Sequence, residues 1–430
     1  MQAVLLGAGQ SSRFFPFNDK HKCLVSLLGE PIIVHTVRSI KRAGINDILF
    51  VVSQDNAFQD VLGNGKKYGV KIRYVIQKEP NGMGDALLQA KDLIDSDFFL
   101  VNSNHIEFEE LKSDIDVKRT NREAILLGVK NNSDKHFGML KLDGDKVLGV
   151  EEKPKNQSGL SDLRIVGVYF LNIGFLDVLA KTKKGHYSFE DALDKYAKLG
   201  KVKVCVTSKE IMSLKYPWDL LRLKNYLLSK VKRSLSKKAN ISKHAIIDGN
   251  VIIEEGATIL ENATVKGPAY IGRNAFVGSN SLVRNGSSVE ENSVVGGYME
   301  VKNSIIMSDS KTHSGHFEDS ILGQNSRIGA LFTSANVRLD RRNIKVNIKG
   351  EDVDSGLRDL GTMIGSNTNL GARVTTMPGV IIGDNSFVGP STTVLKNIPS
   401  DTIFYAKFVE NVSKSKSANT QKSSAPKKIS

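Results

Sequence analysis

Cysteine is scarce in this 430-residue chain, which contains only Cys23 and Cys205. Two cysteines cannot build a disulfide framework or a four-cysteine zinc site, so we expect a reducing compartment. Long apolar runs are also missing, and no stretch approaches the roughly 18 apolar residues that a membrane-spanning helix needs. The first residues lack the basic segment and apolar core of a secretion signal. We therefore predict a cytoplasmic location and no membrane partner.

Acidic residues are missing from two stretches that hold most of the net charge of +14. Residues 229–238 and 411–430 each contain five Lys or Arg and no acid, and the rest of the chain is nearly balanced. A basic surface attracts phosphate of any sequence, but neither stretch has an aromatic residue to stack on bases. We expect no specific nucleic-acid partner, and interpret residues 229–240 as a basic junction and 411–430 as a disordered basic tail.

The first half of the chain alternates strand-like and helix-like segments. Ala3–Leu6 and Ile48–Val52 are continuous apolar runs, whereas Pro31–Ala43 and Met83–Ile94 have apolar residues at helical spacing. Continuous apolar strands alternating with helices are typical of a parallel sheet covered on both faces. We assign residues 1–228 to this α/β domain.

The second half follows a period of six residues. From Ile241 to Val301, every sixth residue is Ile or Val, and Ala or Ser stands four places after most of them. This period fits neither an α-helix nor a simple strand, and it is typical of a hexapeptide β-helix. We assign residues 241–410 to this domain. The period breaks between Met307 and Ile321 and again before Ile364, and we expect loops that leave the solenoid at both places.

A glycine-rich segment follows the first predicted strand. It reads Gly7-Ala8-Gly9 and ends at Arg13, without the spacing of a dinucleotide-binding loop. Glycines allow the main chain to approach a phosphate, and exposed N–H groups together with Arg13 supply positive charge. Taken alone, the segment also fits a tight turn without a ligand.

Several later blocks, taken with this loop, resemble the sugar-1-phosphate nucleotidylyltransferases. The blocks are His21-Lys22-Cys23-Leu24, Gly29-Glu30-Pro31-Ile32, Gln77, Gly82-Met83-Gly84-Asp85, Phe137-Gly138-Met139-Leu140, Glu151-Glu152-Lys153-Pro154, Gly167-Val168-Tyr169 and Tyr216-Pro217-Trp218-Asp219. With the hexads, the resemblance extends to two-domain proteins that carry a C-terminal left-handed β-helix, including bifunctional enzymes that make UDP-N-acetylglucosamine. It implies a Rossmann-like α/β domain followed by a left-handed parallel β-helix, assembled as a homotrimer or with a paralogous subunit.

The resemblance also implies roles for individual residues. A nucleoside triphosphate, either UTP or dTTP, would react with a sugar 1-phosphate and release pyrophosphate. The implied positions are Gly7, Ala8, Gly9, Gln77 and Gly82 for nucleotide binding, Arg13 and Lys22 for catalysis, and Gly138, Glu152 and Lys153 for the sugar phosphate.

The sequence departs from the family at the expected Mg²⁺ site. The two positions that the resemblance assigns to metal carboxylates hold Asn104 and Ser213, which are poorer ligands for a hard cation. Glu107 or Glu109 could supply a displaced carboxylate, although we interpret both as surface acids. Two hypotheses stay open: an active nucleotidylyltransferase with altered metal ligation, or a non-catalytic homologue that binds a nucleotide-sugar or a paralogous subunit as a regulator or scaffold.

The β-helix offers a second candidate site. By the same resemblance, His313 could act as the general base of an acyl transfer, with Asn336 nearby. However, Leu331 replaces a glycine and Asp359 stands where relatives have Lys. A histidine on a solenoid loop is more often a surface residue, so we expect no acetyltransferase activity.

Overall fold

The computed structural model describes residues 1–119, 123–130, 138–152 and 160–413, with only the main chain at residue 152. Within these ranges the chain forms an α/β domain and then a three-sided parallel β-helix. No helix of the described residues is long and apolar enough to span a membrane.

The α/β domain contains eleven strands in its described residues. They are β1 (Gln2–Leu6), β2 (Ser26–Leu27), β3 (Glu30–Pro31), β4 (Asp47–Val52), β5 (Lys71–Ile76), β6 (Phe98–Asn102), β7 (Ala124–Lys130), β8 (Gly138–Asp143), β9 (Lys146–Glu152), β10 (Leu163–Leu171) and β11 (Val202–Val206). Nine of them form one sheet in the order β5-β4-β1-β6-β10-β7-β11-β9-β8, and β2 pairs with β3 in a separate hairpin. Strand β1 is parallel to both β4 and β6, so the carboxyl ends of these three strands meet at one edge.

Seven α-helices accompany this sheet in the same described part of the chain. They are α1 (Ile32–Arg42), α2 (Ala57–Leu62), α3 (Met83–Gln89), α4 (Phe108–Lys118), α5 (Phe175–Ala180), α6 (Ser188–Lys198) and α7 (Asp219–Ser229). The helix expected over Pro31–Ala43 is confirmed, since α1 starts after Pro31 and buries Ile33, Val37 and Ile40 on one face. The helix expected over Met83–Ile94 is shorter, because α3 ends at Gln89 and a 3₁₀ turn follows.

The β-helix has three sheets, each contributing one strand per coil. The first contains β12 (Ser234–Leu235), β15 (Val251–Ile253), β18 (Ala269–Ile271), β21 (Ser288–Val289), β24 (Ile305–Ile306), β27 (Ile321–Leu322), β32 (Met363–Ile364) and β35 (Ile381–Ile382). The second contains β13 (Asn240–Ile241), β16 (Thr258–Ile259), β19 (Phe276–Val277), β22 (Val294–Val295), β25 (Lys311–Thr312), β28 (Arg327–Ile328), β33 (Asn369–Leu370), β36 (Phe387–Val388) and β38 (Ile403–Phe404). The third contains β14 (Ile246–Asp248), β17 (Thr264–Lys266), β20 (Leu282–Arg284), β23 (Met299–Lys302), β26 (Gly315–Glu318), β29 (Phe332–Ser334), β34 (Thr375–Thr376) and β37 (Thr393–Val394).

The six-residue period places the aliphatic side chains inside the solenoid, as expected. Ile253 pairs in register with Ile271, one full coil of three hexads away. Both are buried, as are Val277 and the small corner residue Ala257. The solenoid begins earlier than the domain boundary assigned from the sequence, because β12 already pairs with β15. The first strand therefore lies inside the segment interpreted as a basic junction, where Leu235 packs against the interior.

The first break in the hexads does not correspond to a loop, so that expectation is wrong. Strands β25 and β26 continue the coil in register with β22 and β23. Thr312 pairs with Val295, and Phe317 pairs with Val301. Both Thr312 and Phe317 are buried. This coil is shorter than the others, and Thr312 and Phe317 occupy its interior positions in place of Ile or Val. The six-residue period is therefore not visible in the sequence here.

The second break is a true excursion, as expected. Between β29 and β32 the chain leaves the solenoid and forms a hairpin of β30 (Lys345–Ile348) and β31 (Glu351–Asp354). Ile344 and Val346 belong to the same cluster of buried side chains as Phe14 and Trp218 of the α/β domain. The hairpin therefore packs against the α/β domain in one apolar cluster, whereas the interior of the solenoid forms a separate cluster.

Candidate active site

The glycine-rich loop starts where β1 ends, at the edge where the parallel strands finish. Gly7 N donates a hydrogen bond to Val51 O at 2.8 Å, and a Cβ atom at Gly7 would lie 2.6 Å from the Phe50 ring. Only glycine fits there. Gly9 has open space on its Cβ side, so its main chain is accessible to a ligand. Crevices at the carboxyl ends of parallel strands are the usual ligand sites of such sheets.

A cavity of about 540 Å³ opens beside this loop. It brings together most of the residues predicted to bind the nucleotide or to act in catalysis, namely Ala8, Gly9, Arg13, Lys22, Gln77 and Gly82. Gly7 does not line it and acts instead through the close packing described above. We call it the nucleotide-side cavity. The six predicted residues that line it are up to 74 positions apart in the chain.

Gln77 and Gly82 are held by contacts within the domain. The buried Gln77 side chain donates from Nε2 to Gly82 O at 3.2 Å and to Asp85 Oδ2 at 2.7 Å. Gly82 has a φ of +96°, and a Cβ atom there would lie 2.2 Å from the carbonyl oxygen of His186. A side chain at this position is therefore excluded, and the wall of the cavity is fixed.

A second cavity of about 240 Å³ adjoins the first. We call it the sugar-side cavity; its lining includes Gly138, Asn104, Ser213 and Gly167. The two cavities share four lining residues, which are Lys22, Asn102, Asn104 and Glu190. They therefore form one cleft with two compartments, and Lys22 lies at the junction between them.

Lys22 is a partly buried lysine whose hydrogen-bond acceptor is neutral. Its Nζ donates to the main-chain oxygen of Leu214 at 2.5 Å. Burial lowers the pKa of Lys22, and the nearby Arg13 lowers it further, whereas Cys23 and Asp219 oppose the shift. A carbonyl does not neutralise an ammonium group, so an incoming phosphate would improve the environment of Lys22.

His21 also lines the nucleotide-side cavity, and sequence reasoning gave it no role. Its Nδ1 accepts a hydrogen bond from Cys23 N at 3.2 Å, which caps the 3₁₀ turn Lys22–Leu24. Burial, together with repulsion from Lys22, lowers the pKa of His21 to about 4. The imidazole is therefore neutral at pH 7. Its position immediately before Lys22 was the only signal in the sequence.

Asn104 and Ser213, the predicted metal positions, do come together in the sugar-side cavity. Asn104 Nδ2 donates to Met212 O at 3.0 Å. Glu107 is buried and not a surface acid, so our interpretation of it was wrong. Its Oε1 accepts hydrogen bonds from His105 Nδ1 and from Met212 N, both at 2.9 Å. Glu107 therefore holds the segment that carries Ser213.

Glu109, in contrast, is a surface acid as interpreted. Its Oε2 pairs with Arg42 Nε at 2.7 Å, and both side chains are about half exposed. An exposed pair of this kind contributes little to stability. Glu109 does not line either compartment of the cleft.

The residues of the cleft do not fit a protein-held Mg²⁺. Among the described residues that line the two compartments, Glu190 is the only carboxylate. The one group of three or more His, Cys, Asp or Glu residues that converge in the described parts of the chain lies on the β-helix, at Glu300, His316 and Glu318. Mg²⁺ in proteins is usually bound by one or two carboxylates together with substrate phosphates and waters. The described lining offers one carboxylate among several basic side chains, and the positions of Asn104 and Ser213 supply none.

The sugar-phosphate residues are only partly within the described structure. Gly138 lines the sugar-side cavity, and its main chain pairs with that of Glu152. Lys153 and the Glu152 side chain lie outside the described residues. Sequence reasoning missed three other basic residues of the lining, Arg164, Lys215 and His105. An arginine within the apolar strand β10 was the clearest available signal.

The predicted acyl-transfer residues occupy the β-helix, away from the cleft. His313 is exposed at the corner after β25. Asn336 follows β29, and its Nδ2 donates to Glu318 Oε2 at 3.1 Å and to Asp319 Oδ2 at 2.6 Å. These bonds tie Asn336 into a polar network on one face of the solenoid.

The α/β domain thus has a ligand cleft of two compartments at the ends of its parallel strands, and a hexapeptide β-helix follows it. Residues 2–219 match the family described as nucleotidyl transferase. Residues 268–297 match the hexapeptide repeat of succinyl-transferase, and residues 361–396 match the bacterial transferase hexapeptide with six repeats. The chain belongs to the nucleotidyl transferase family.

Two of the similar proteins match over both domains, and a third matches over less than half of this chain. The "Bifunctional protein GlmU" of Methanocaldococcus jannaschii is 33% identical over 413 residues, which cover 95% of this chain and 98% of that protein. A "Bifunctional sugar-1-phosphate nucleotidylyltransferase/acetyltransferase" of Sulfurisphaera tokodaii is 32% identical over 409 residues, covering 93% and 98%. The "Glucose-1-phosphate thymidylyltransferase" of Streptomyces griseus is 30% identical over 186 residues, covering 42% of this chain and 52% of that protein.

These findings confirm the resemblance, the two-domain fold class and the assignment to the sugar-1-phosphate nucleotidylyltransferases. They do not support the expectation that acetyltransferase activity is absent, because the relatives that match over both domains are named bifunctional.

Proposed function

We propose that the cleft joins a nucleoside triphosphate to a sugar 1-phosphate and releases pyrophosphate. The observation that supports this most is the position of Lys22, which lines both compartments at once. A reaction between two phosphorylated substrates needs a cation where their phosphates meet. The nucleotide would occupy the compartment of Gly9 and Gln77, with UTP or dTTP as the proposed donor, and the sugar phosphate would occupy the compartment of Gly138.

The proposed chemistry is an in-line displacement at phosphorus. An oxygen of the sugar phosphate attacks the α-phosphorus, and the bond from that phosphorus to the bridging oxygen of the β-phosphate breaks. The nucleophile is already an anion, so no proton has to be removed from it. Lys22 and Arg13 would neutralise charge on the phosphates of the nucleotide. Lys22 is partly buried and Arg13 is exposed, so the effect of Lys22 is the less screened by solvent.

The sugar-side cavity contains basic side chains of its own that would attract a phosphate. Arg164 and Lys215 line it together with His105, whose Nδ1 is bound to buried Glu107. Positive side chains outnumber the single carboxylate Glu190 among the described lining.

Pyrophosphate release tests the proposed function. The full-length protein should release pyrophosphate from UTP or dTTP when a hexose or N-acetylhexosamine 1-phosphate is added, and not from the nucleotide alone. The assay should cover several sugars and divalent cations beside an active relative. Absence of release across the whole set, with the relative active, would contradict the enzyme hypothesis and favour the non-catalytic regulator, which would then co-purify with a paralogous subunit.

We also propose acyl transfer on the β-helix as a second activity, since the similar bifunctional relatives match over both domains. The amide of Asn336 and the exposed His313 would serve this site. Release of free coenzyme A from acetyl-CoA in the presence of a hexosamine 1-phosphate tests the proposal. His313→Ala should abolish that release and leave pyrophosphate release intact; equal release by both proteins would contradict a role for His313.

A homotrimer in the cytoplasm is the proposed assembly and location. The solenoid offers three flat sheets, and association through such a face is a common route to closed symmetry. Cys23 and Cys205 are free and buried, which suits a reducing compartment. Light scattering coupled to size exclusion would give three times the mass of 47.1 kDa; a monomeric mass would contradict the trimer.

A further inference from the structure

The β-helix contacts the segment that carries Lys22. Two residues after the Lys22–Leu24 turn, the chain forms the β2–β3 hairpin, whose tip is Leu28 and Gly29. Both tip residues have left-handed main-chain conformations, with φ of +53° and +79°. The tip points at the solenoid, where it meets the residues around β21.

Glu290, just after β21, binds both main-chain N–H groups of this tip. Leu28 N donates to Glu290 Oε1 at 2.9 Å, and Gly29 N donates to Oε2 at 2.8 Å. Ser288 Oγ donates to Oε1 at 2.5 Å. Glu290 is only 1% exposed, so its carboxylate is an internal anchor that receives three hydrogen bonds from fixed donors.

The fit between hairpin and solenoid is close. A Cβ atom at Gly29 would lie 2.4 Å from the hydroxyl oxygen of Tyr270, a buried residue of β18. With a left-handed φ as well, position 29 accepts only glycine without strain. The tip therefore packs against Tyr270 in one position, and its hydrogen bonds to the carboxylate of Glu290 hold it in that position.

A second anchor holds the other segment that contacts Lys22. Lys22 donates to Leu214, and the chain continues from Leu214 into α7. On α7 the buried Lys224 donates from Nζ to Asn303 Oδ1 at 3.0 Å. Asn225 Nδ2 donates to the same oxygen at 3.0 Å. Asn303 precedes β24. The β-helix therefore contacts both the hairpin that follows Lys22 in the chain and the helix that follows Leu214, the residue to which Lys22 donates.

We propose that the β-helix is a positioning element of the nucleotidyl-transfer site, and that Glu290 is a positioning residue that fixes Lys22 through the Leu28–Gly29 tip. The inference rests on the proposed function for the role of Lys22, but the contacts themselves are independent of it. The solenoid thereby serves the chemistry of the first domain as well as any site of its own.

Hydrogen–deuterium exchange on the full chain tests the proposal without requiring turnover. In Glu290→Gln the side-chain amide can accept from only one of the two N–H groups and presents a donor to the other. We expect exchange in residues 21–29 to rise about tenfold. The matched control is Glu291→Gln, an exposed neighbour of the same type, which should leave these residues unchanged. A rise limited to residues 28–29, with residues 21–25 as protected as in the native chain, would overturn the proposal.

A second variant and a kinetic measurement complete the test. If Glu290→Gln does not fold, Glu290→Asp keeps the charge but shortens the reach, and should give a smaller rise over the same residues. In an active protein, Glu290→Gln should lower kcat about tenfold with little change in KM for the nucleotide; equal kcat for Glu290→Gln and Glu291→Gln would contradict positioning. Should the native chain release no pyrophosphate, the proposed function fails, and the exchange comparison still decides whether the β-helix fixes Lys22.

Discussion

The side-chain amide of Asn104 donates a hydrogen bond to the main-chain carbonyl of Met212 at 3.0 Å. This bond joins the segment after β6 to the segment that carries Ser213. Glu107 reinforces the junction by accepting from Met212 N. A carboxylate at position 104 could not donate this bond. Asparagine therefore allows the segment after β6 and the segment that carries Ser213 to bind each other directly, without a cation between them.

Replacing both positions with acids should make the stability of the protein depend on Mg²⁺. In Asn104→Asp plus Ser213→Asp, a carboxylate would face the Met212 carbonyl and a second carboxylate. We expect a loss of roughly 1–3 kcal/mol in the free energy of unfolding in EDTA, recovered when Mg²⁺ neutralises the pair. Thermal unfolding in EDTA and in MgCl₂ measures this, with the exposed Asn81→Asp as control. An equal effect of Mg²⁺ on the native chain would show that the native site binds the ion.

Thr376 lies six residues after Leu370 and six before Ile382, at a position where the period favours an aliphatic residue, and valine there should stabilise the β-helix. Thr376 is fully buried, and its Oγ1 makes no hydrogen bond within the described residues. Valine has nearly the same shape without the unsatisfied hydroxyl, so Thr376→Val should gain roughly 1 kcal/mol. Scanning calorimetry should show a higher melting temperature, whereas Thr393→Val, at an exposed position on the next strand, should change little. A lower melting temperature for Thr376→Val would mean that the hydroxyl has a partner.

The α/β domain should lose stability as the pH falls from about 6.5 to about 4 because of His21. The pKa of this histidine is lowered to about 4 in the folded protein, whereas the unfolded chain takes up the proton near 6.5. Stability is therefore present above 6.5 and lost across this window, by up to about 3 kcal/mol. His21→Gln, which keeps a neutral acceptor, should lose less.

Urea unfolding followed by fluorescence of Trp218, the only tryptophan, measures this difference within the α/β domain. The comparison is between the native chain and His21→Gln at pH 7 and at pH 4, so that all other titrating groups cancel. Parallel losses in the two proteins would contradict a neutral, partly buried His21.

The sequence predicted the β-helix and the glycine loop because each motif reflects a packing constraint within a short segment of chain. The hexads from Ile253 to Val301 follow from the interior of a coil. The glycine loop follows from the close approach of Phe50 to Gly7. The pattern failed at Thr312 and Phe317, because a shortened coil accepts other residues at interior positions and the period alone cannot show that.

The sequence could not reveal contacts between distant segments. Glu107 looks like an ordinary acid near the start of α4, and its burial depends on Met212, 105 positions away. The anchoring of Leu28 by Glu290 spans 262 positions. Both contacts depend on how the two domains and the cleft walls pack, which no short motif encodes.

Removing the charge of Lys22 tests the nucleotidyl-transfer cleft most directly. Lys22→Met keeps the length of the side chain and removes its positive charge, and the exposed Lys20→Met on the same loop is the matched control. We expect Lys22→Met to lower pyrophosphate release about 10²–10³-fold, while Lys20→Met stays near the native rate. Equal rates for Lys22→Met and the native protein, with both folded, would contradict a catalytic cleft centred on Lys22.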